Sequence, residues 1–230
     1  MIVRFFAVHG YNFFLAVGAV AMLVLMLMRR HQYALSITHA SVYTLLLLMT
    51  GIAGAKLLFF FESGMESFSG MSFFGAVYLV LLAMPLIGLV FRMKPAASLD
   101  ACAPCVAAIV GFQRFGCFCA GCCGGIPIGS GSVLWPTQLM EGFGDMMILC
   151  LLLAVEKRET NKGSSYPLFL LSYGTMRFAI ELVRDTPKDW LGLSHGQWFS
   201  VAGIGVALLM VIGDMIWQKQ KAIKKQSALD

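Results

Sequence analysis

Charge is scarce in this chain. Asp, Glu, Lys and Arg make up 13% of its 230 residues, while 59% are hydrophobic. Soluble globular domains carry about 25% charged and about 45–50% apolar residues. That scarcity excludes an ordinary soluble domain and points to a polytopic membrane protein. Long polar segments are missing too, which leaves no room for a separate soluble domain. The first apolar run lacks a preceding Lys/Arg-rich stretch and a clear small-x-small site, so it is expected to stay as a span and not to be cleaved as a signal peptide. No internal repeat, low-complexity tract or organic-cofactor motif occurs. The four histidines include none close in sequence to the densest group of cysteines.

What is present is a series of apolar runs of about 20 residues, the length a helix needs to cross a bilayer. Seven are read: Ala7–Met28, Ser36–Phe61, Met71–Phe91, Ala97–Gly116, Pro136–Val155, Tyr166–Val183 and Gln197–Trp217. The expected fold is all-α, seven transmembrane helices in one bundle over residues 1–218, with a basic cytoplasmic tail at 219–230. Basic residues set the orientation. Arg29, Arg30, Arg92, Lys94, Lys157, Arg158 and Lys162 share one side with the tail lysines Lys219, Lys221, Lys224 and Lys225. The other side has only Arg4, Arg184 and Lys188, offset by Glu62, Glu66, Asp185 and Asp189. The N-terminus is therefore expected outside and the C-terminus in the cytoplasm. The net charge of +5 is mostly a topology signal and does not imply a nucleic-acid partner. Trp135, Trp190 and Trp198 fall near the outer interface and Trp217 near the inner one, as an aromatic belt does.

Two arginines lie within spans. A charge at membrane depth costs at least a few kcal/mol and is usually functional. Counting about 1.5 Å per residue puts Arg114 roughly 25 Å up a core of about 30 Å, and Arg177 roughly 16 Å above Tyr166. Tyr11, Lys56, Glu141, Glu181, His195 and Gln197 fall in the same outer layer, which predicts a polar cavity open to the outer leaflet. Arg177, Glu181 and Arg184 at i, i+4 and i+7 share a helix face. A guanidinium fork matches phosphate geometry, so an anionic phosphate ligand inside the bilayer is expected. The alternative is that Arg177 and Glu181 form a buried ion pair that only fixes helix packing.

At this point the residues resemble a known family, the prolipoprotein diacylglyceryl transferases of bacterial membranes, over almost the whole chain. His9-Gly10-Tyr11 resembles its first-span His-x-Tyr, and Gly54-Ala55-Lys56 its Gly-(Gly/Ala)-Arg with Lys for Arg. Gly70-Met71-Ser72-Phe73 resembles Gly-Met-Ser-Phe-His-Gly, and Asp100 with Ala103-Pro104 resembles Asp-x-x-Ala-Pro. Arg114-Phe115-Gly116 lines up with Gly-Arg-x-Gly-Asn-Phe-x-Asn, and Pro136-Thr137-Gln138-Leu139-Met140-Glu141 with His-Pro-(Ser/Thr)-Gln-Leu-Tyr-Glu. Tyr173-Gly174-Thr175-Met176-Arg177, followed by Glu181, is similar to Tyr-Gly-x-x-Arg-(Phe)-x-x-Glu, and Ser194-His195-Gly196-Gln197 to Ser-x-Gly-Gln.

The resemblance implies transfer of the diacylglyceryl group of phosphatidylglycerol to a lipobox cysteine thiol of a prolipoprotein, with release of glycerol-1-phosphate, in the bacterial inner membrane. It implies that Arg114 and Arg177 bind the phosphate, and that Glu181 and Glu141 orient them or act as base. Tyr11 and Tyr173 are then expected to hydrogen-bond the headgroup, with Lys56, Gly116, Gly121, Gly125, Gln138 and Gln197 as further substrate contacts. Neither a cofactor nor a metal is required by this chemistry. Departures fall on the acid–base set. The third-span His is Phe74 here, the Asn after Arg-x-Gly is Cys117, the second Asn is Ala120, the following Glu is Cys122, and the His before Pro is Trp135. The outer segment between the fourth and fifth spans is also short. A divergent paralogue that moves a phospholipid-derived group to another acceptor is the alternative.

Cys117, Cys119, Cys122 and Cys123 crowd just beyond Arg114, and Cys102 with Cys105 forms a second CxxC about 20 Å away on the same helix. They read as small buried packing residues, as an outer-face disulfide joining Cys119 to Cys122 or Cys123, or as a metal or covalent lipid–thiol site. Gly121, Gly124 and Gly125 would let the backbone approach a headgroup. His195 is the histidine placed for catalysis; His9, His31 and His39 read as interfacial or packed. Two rival classes stand beside the transferase, a non-catalytic lipid or anion transporter and a membrane thiol-redox or metal protein built on the cysteines. Paired broken helices, which mark many transporters, are not visible.

Overall fold

A computed structural model describes residues 2–66, 70–158, 163–188 and 191–226. Residues 159–162, including Lys162, together with Asp189, Trp190 and residues 227–230, lie outside that description, as do the side chains of Arg4, Lys224 and Lys225. Among the described residues the structure is all α, with no strand beyond two isolated bridges. The helices are α1 (Ile2–Arg29), α2 (Ile37–Glu62), α3 (Phe73–Val90), α4 (Pro95–Cys119), α5 (Thr137–Arg158), α6 (Ser165–Glu181) and α7 (His195–Gln226). All except α6 are long and apolar enough to cross a membrane; α6 has 17 residues.

The centre of the bundle is α4. Its most apolar stretch is 78% buried, against 17% for α1 and α7, and it packs against α1, α3, α5 and α6. Small residues make this possible, because Ala101, Cys102, Ala103, Cys105, Ala107 and Ala108 all have 0% exposure and let neighbouring helices close in. Cys102 touches the Tyr43 hydroxyl at 3.2 Å, and the Cys105 thiol points to the Met22 carbonyl. This CxxC is therefore helix packing. A second close crossing joins α2 to α3, where Gly54 and Gly75 face each other so tightly that a Cβ on either would strike the other's carbonyl.

One end of the bundle is tied by a polar cluster that composition alone did not reveal. The sequence places Arg29 with the basic loop residues that set orientation. Arg29 closes α1 at 5% exposure, pairs with Glu156 of α5, and donates to the carbonyls of Asp100 and Ala101. Glu156 and these two α4 carbonyls compensate its charge. The Asp100 carboxylate accepts from the amides of Gly163, Ser165 (2.9 Å) and Tyr166 (3.2 Å). It thus satisfies the free N–H groups that open α6 and sits favourably at the positive end of its dipole. The segment that begins at Lys219 does not form a separate tail at first, since α7 continues to Gln226 through Gln, Lys and Ala, which are good helix formers.

Candidate active site

Arg114 lies 14 positions beyond Asp100 along α4, about 21 Å toward the other end of the bundle. There, one turn into α5, Glu141 has 0% exposure and receives three guanidiniums. Arg114 comes from α4, Arg177 from α6, and Arg184 from the segment after α6 at 2.8 Å. Arg177 also pairs with Glu181 at 2.7 Å, one turn along its own helix. Glu181 in turn accepts the hydroxyls of Thr186 (2.8 Å) and Ser194 (2.9 Å). Gly196, in the first turn of α7, sits so close to the Glu181 carboxylate that a Cβ would meet it at 2.9 Å. The carboxylate therefore rests against a helix N-terminus. Three guanidiniums from separate segments therefore converge on these two carboxylates beside an open space.

That space is a cavity of about 620 Å³, within the usual range for small-ligand sites. Arg114, Arg177, Arg184 and Glu181 line one end, together with His195 and Glu62. Apolar side chains such as Met22, Leu47, Phe74 and Val80 line the rest. The cavity is amphiphilic, with a cationic end and an oily body.

The residues named from sequence divide into three groups. Arg114, Arg177 and Glu181 meet at the cavity wall, and Glu141 stands behind the arginines. Tyr173 and Gln197 are buried around them, behind the cavity wall. The Tyr173 hydroxyl, within electrostatic reach of both Arg114 and Arg177, has no hydrogen-bond partner among the described residues, and neither has the Gln197 side-chain nitrogen. Tyr11, Lys56, Gly116, Gly121, Gly125 and Gln138 lie outside the cavity wall. The Tyr11 hydroxyl accepts from Gln113 at 2.8 Å, and Gly116 gives room for the Tyr11 backbone. Gly125 is wedged between Val183 and Trp135 and carries a bridge to Arg184. It docks the outer loop instead of exposing backbone to a ligand. Gln138 donates to the Cys122 carbonyl at 2.6 Å.

Three participants were not picked out from the sequence. Asp145 lies four positions beyond Glu141 with 0% exposure, and neither carboxyl oxygen has a hydrogen-bond partner among the described residues. An acid inside an apolar span was the available signal. Gln113 lines the cavity beside Arg114. The i+7 spacing puts Arg184 on a helix face with Arg177, but α6 ends at Glu181, and Arg184 reaches Glu141 from the segment beyond it.

The thiols form a separate group. The Sγ atoms of Cys117, Cys122 and Cys123 all lie within 4.8 Å of one another, with Cys119 apart. All seven cysteines are free thiols. Cys123 lines the cavity, and its thiol is lowered to about 5. The hydrogen bond from Cys117 is the main cause, and the Arg184 and Arg114 charges add to it against partial burial. Burial and the neighbouring Cys123 push the Cys122 thiol up.

A family profile described as prolipoprotein diacylglyceryl transferase matches residues 1–213. The chain is 26% identical to phosphatidylglycerol–prolipoprotein diacylglyceryl transferase 2 of Clostridium perfringens, over 94% of this chain and 95% of that protein. It is 26% identical to the Clostridium tetani phosphatidylglycerol–prolipoprotein diacylglyceryl transferase, covering 88% and 92%. With the Bordetella avium protein of the same name the identity is 33%, over 57% of this chain and 56% of that protein.

Proposed function

The chain belongs to the prolipoprotein diacylglyceryl transferase family, and we propose that it moves the diacylglyceryl group of phosphatidylglycerol to the lipobox cysteine of a prolipoprotein. The observation that carries this reading is the gathering of three guanidiniums on one buried carboxylate at the cationic end of an otherwise apolar cavity. A phospholipid has that polarity, with an anionic phosphate next to acyl chains.

Arg114 and Arg177 hold the phosphate, and their charge stabilises the electron pair that collects on it as the ester bond breaks. Glu141, closed off from the cavity, positions the guanidiniums. Of these two carboxylates Glu181 is the one that also lines the cavity, so it is placed to take the acceptor thiol's proton. The sulfur then forms a bond to the terminal glyceryl carbon. The C–O bond to phosphate breaks, and glycerol-1-phosphate leaves with the bonding pair. The Tyr173 hydroxyl, which has no hydrogen-bond partner among the described residues and stands behind the cavity wall near Arg114 and Arg177, turns to the headgroup once the phosphate is bound.

In this reading the protein sits in the bacterial inner membrane with seven spans, its N-terminus outside and its C-terminus in the cytoplasm. α6, about 26 Å long, completes the count from inside the bundle, and the cavity faces the outer leaflet. The test is to incubate the purified protein in detergent with phosphatidylglycerol and a lipobox peptide and to weigh the peptide. A diacylglyceryl adduct on its cysteine is expected. A folded protein that yields no adduct from phosphatidylglycerol contradicts the assignment.

A further inference from the structure

We propose that Cys117, Cys122 and Cys123 form a three-thiolate site for one thiophilic metal ion of the zinc type, with its fourth position turned to the arginine-lined cavity. The three sulfurs already lie within 4.8 Å of one another. Zinc–sulfur bonds of about 2.3 Å in a tetrahedral set need sulfurs about 3.8 Å apart, so small rotations about the side-chain bonds close the site. An all-sulfur set selects soft ions such as zinc over magnesium or calcium.

The chain builds this convergence deliberately. α4 ends in a paired closure in which the Cys122 amide returns to the Cys117 carbonyl (3.2 Å) and the Gly121 amide to the Phe118 carbonyl (3.2 Å). Gly121 is left-handed at φ 66°, which is the Schellman pattern that brings the residue after the glycine against the last helical turn. Cys122 is thereby laid over Cys117. Cys123 then adopts φ 63°, a left-handed conformation that residues other than glycine seldom take, and one found where surrounding structure enforces it for function. The enforcement here comes from α5. Gln138 donates to the Cys122 carbonyl at 2.6 Å and Thr137 to the Cys123 carbonyl at 2.8 Å. Such bonds from a second element hold a metal site's ligands in place.

Charge and access agree. Three thiolates with a divalent ion carry one net negative charge, and Arg114 and Arg184 line the cavity beside Cys123. Cys117 is buried while Cys122 and Cys123 are exposed. Three protein ligands and one open position are the layout of a zinc site that works on a substrate. If the transfer reaction proposed above holds, the incoming ligand is the acceptor thiol. It replaces a metal-bound water and gives its proton to Glu181. As a metal-held thiolate it attacks the glyceryl carbon, so that one C–S bond forms, one C–O bond breaks, and the bonding pair leaves on the phosphate oxygen with no change in oxidation state.

The experiment uses the full chain in detergent, purified under reducing, oxygen-free conditions, equilibrated with zinc alone, washed, and assayed for bound metal by elemental mass spectrometry. About one zinc per chain is expected in the wild type and in Cys150→Ser, whose thiol lies apart on α5. Loss of at least tenfold is expected in Cys117→Ser and Cys123→Ser. X-ray absorption of the zinc-loaded wild type provides a reading that needs no variant to fold, and it is expected to show at least three sulfur neighbours. Zinc no higher in the wild type than in the triple serine variant, or an oxygen- and nitrogen-only shell, overturns the site. Two fewer thiols than the expected seven, counted after denaturing the anaerobically isolated chain without reductant, also overturns it, because the sulfurs would then be spent in a disulfide. If zinc binds but phosphatidylglycerol gives no product, the metal site stands and the transferase reading fails. Transfer that is unchanged after a chelator strips the zinc overturns the acceptor-thiol role.

Discussion

Arg177 and Glu141 form an ion pair in which the carboxylate, at 0% exposure, is also shared with Arg114 and Arg184. A buried ion pair is weak evidence for stability as such, because desolvation offsets much of the attraction. Its value here lies in geometry. Glu141 draws guanidiniums from three separate segments to one end of the cavity and holds them there before any ligand arrives, which is the preorganisation that electrostatic catalysis requires.

Glu141→Gln should therefore damage both stability and chemistry. Removing one partner from a buried pair typically costs about 3–5 kcal/mol, because the remaining charge is left uncompensated. Thermal unfolding in detergent should fall by several degrees, and transfer per folded molecule by at least tenfold. A variant as stable and as active as wild type would show that the arginines do not depend on this carboxylate.

Asp100→Ala separates fold from function. The carboxylate caps α6 through three backbone amides at the end of the bundle away from Arg114 and Arg177, and loss of a helix cap costs about 0.5–2 kcal/mol. A lowered unfolding temperature is expected, with transfer per folded molecule close to wild type. Abolished transfer in a folded Asp100→Ala protein would give that end of the bundle a direct part in the reaction.

Gly54→Val tests the α2–α3 crossing. The added side chain meets the Gly75 backbone, and overpacking of this kind costs about 1–3 kcal/mol. Reduced thermal stability is expected, with a wider spacing between the helices measurable by cross-linking across the pair. A stability equal to wild type would mean that the crossing is looser than described.

Much of this was legible in the sequence, for identifiable reasons. Apolar runs gave helix positions to within a few residues over most of the chain, because bilayer thickness and helical rise constrain length strongly. The pairing of Arg177 with Glu181 followed from helical periodicity, but the helix face extended to Arg184 did not, because α6 ends at Glu181 and Arg184 arrives from the segment beyond it. What stayed hidden depended on contacts between distant segments. Glu141 could be named, but not as the hub of three arginines brought from α4, α6 and the segment after it. Arg29 looked like a loop charge because its partner Glu156 is 127 positions away. The meeting of Cys117 with Cys122 and Cys123 needed the helix-ending turn and the left-handed backbone of Cys123, neither of which spacing discloses. Gly125 was read as a backbone opening for a ligand because its packing against Trp135 and Val183 is likewise a tertiary fact.

The central claim is that the Arg114–Arg177 end of the cavity holds the phosphate as its ester bond breaks. It is tested most directly by single-turnover transfer from phosphatidylglycerol to a lipobox peptide in wild type, Arg177→Ala and Arg114→Ala, with each protein verified as folded and inserted. Loss of one donor to a developing anion typically costs about 10²–10³ in rate, and a fall of that order or complete loss is expected in each variant. A rate within a few-fold of wild type in either variant would contradict the claim.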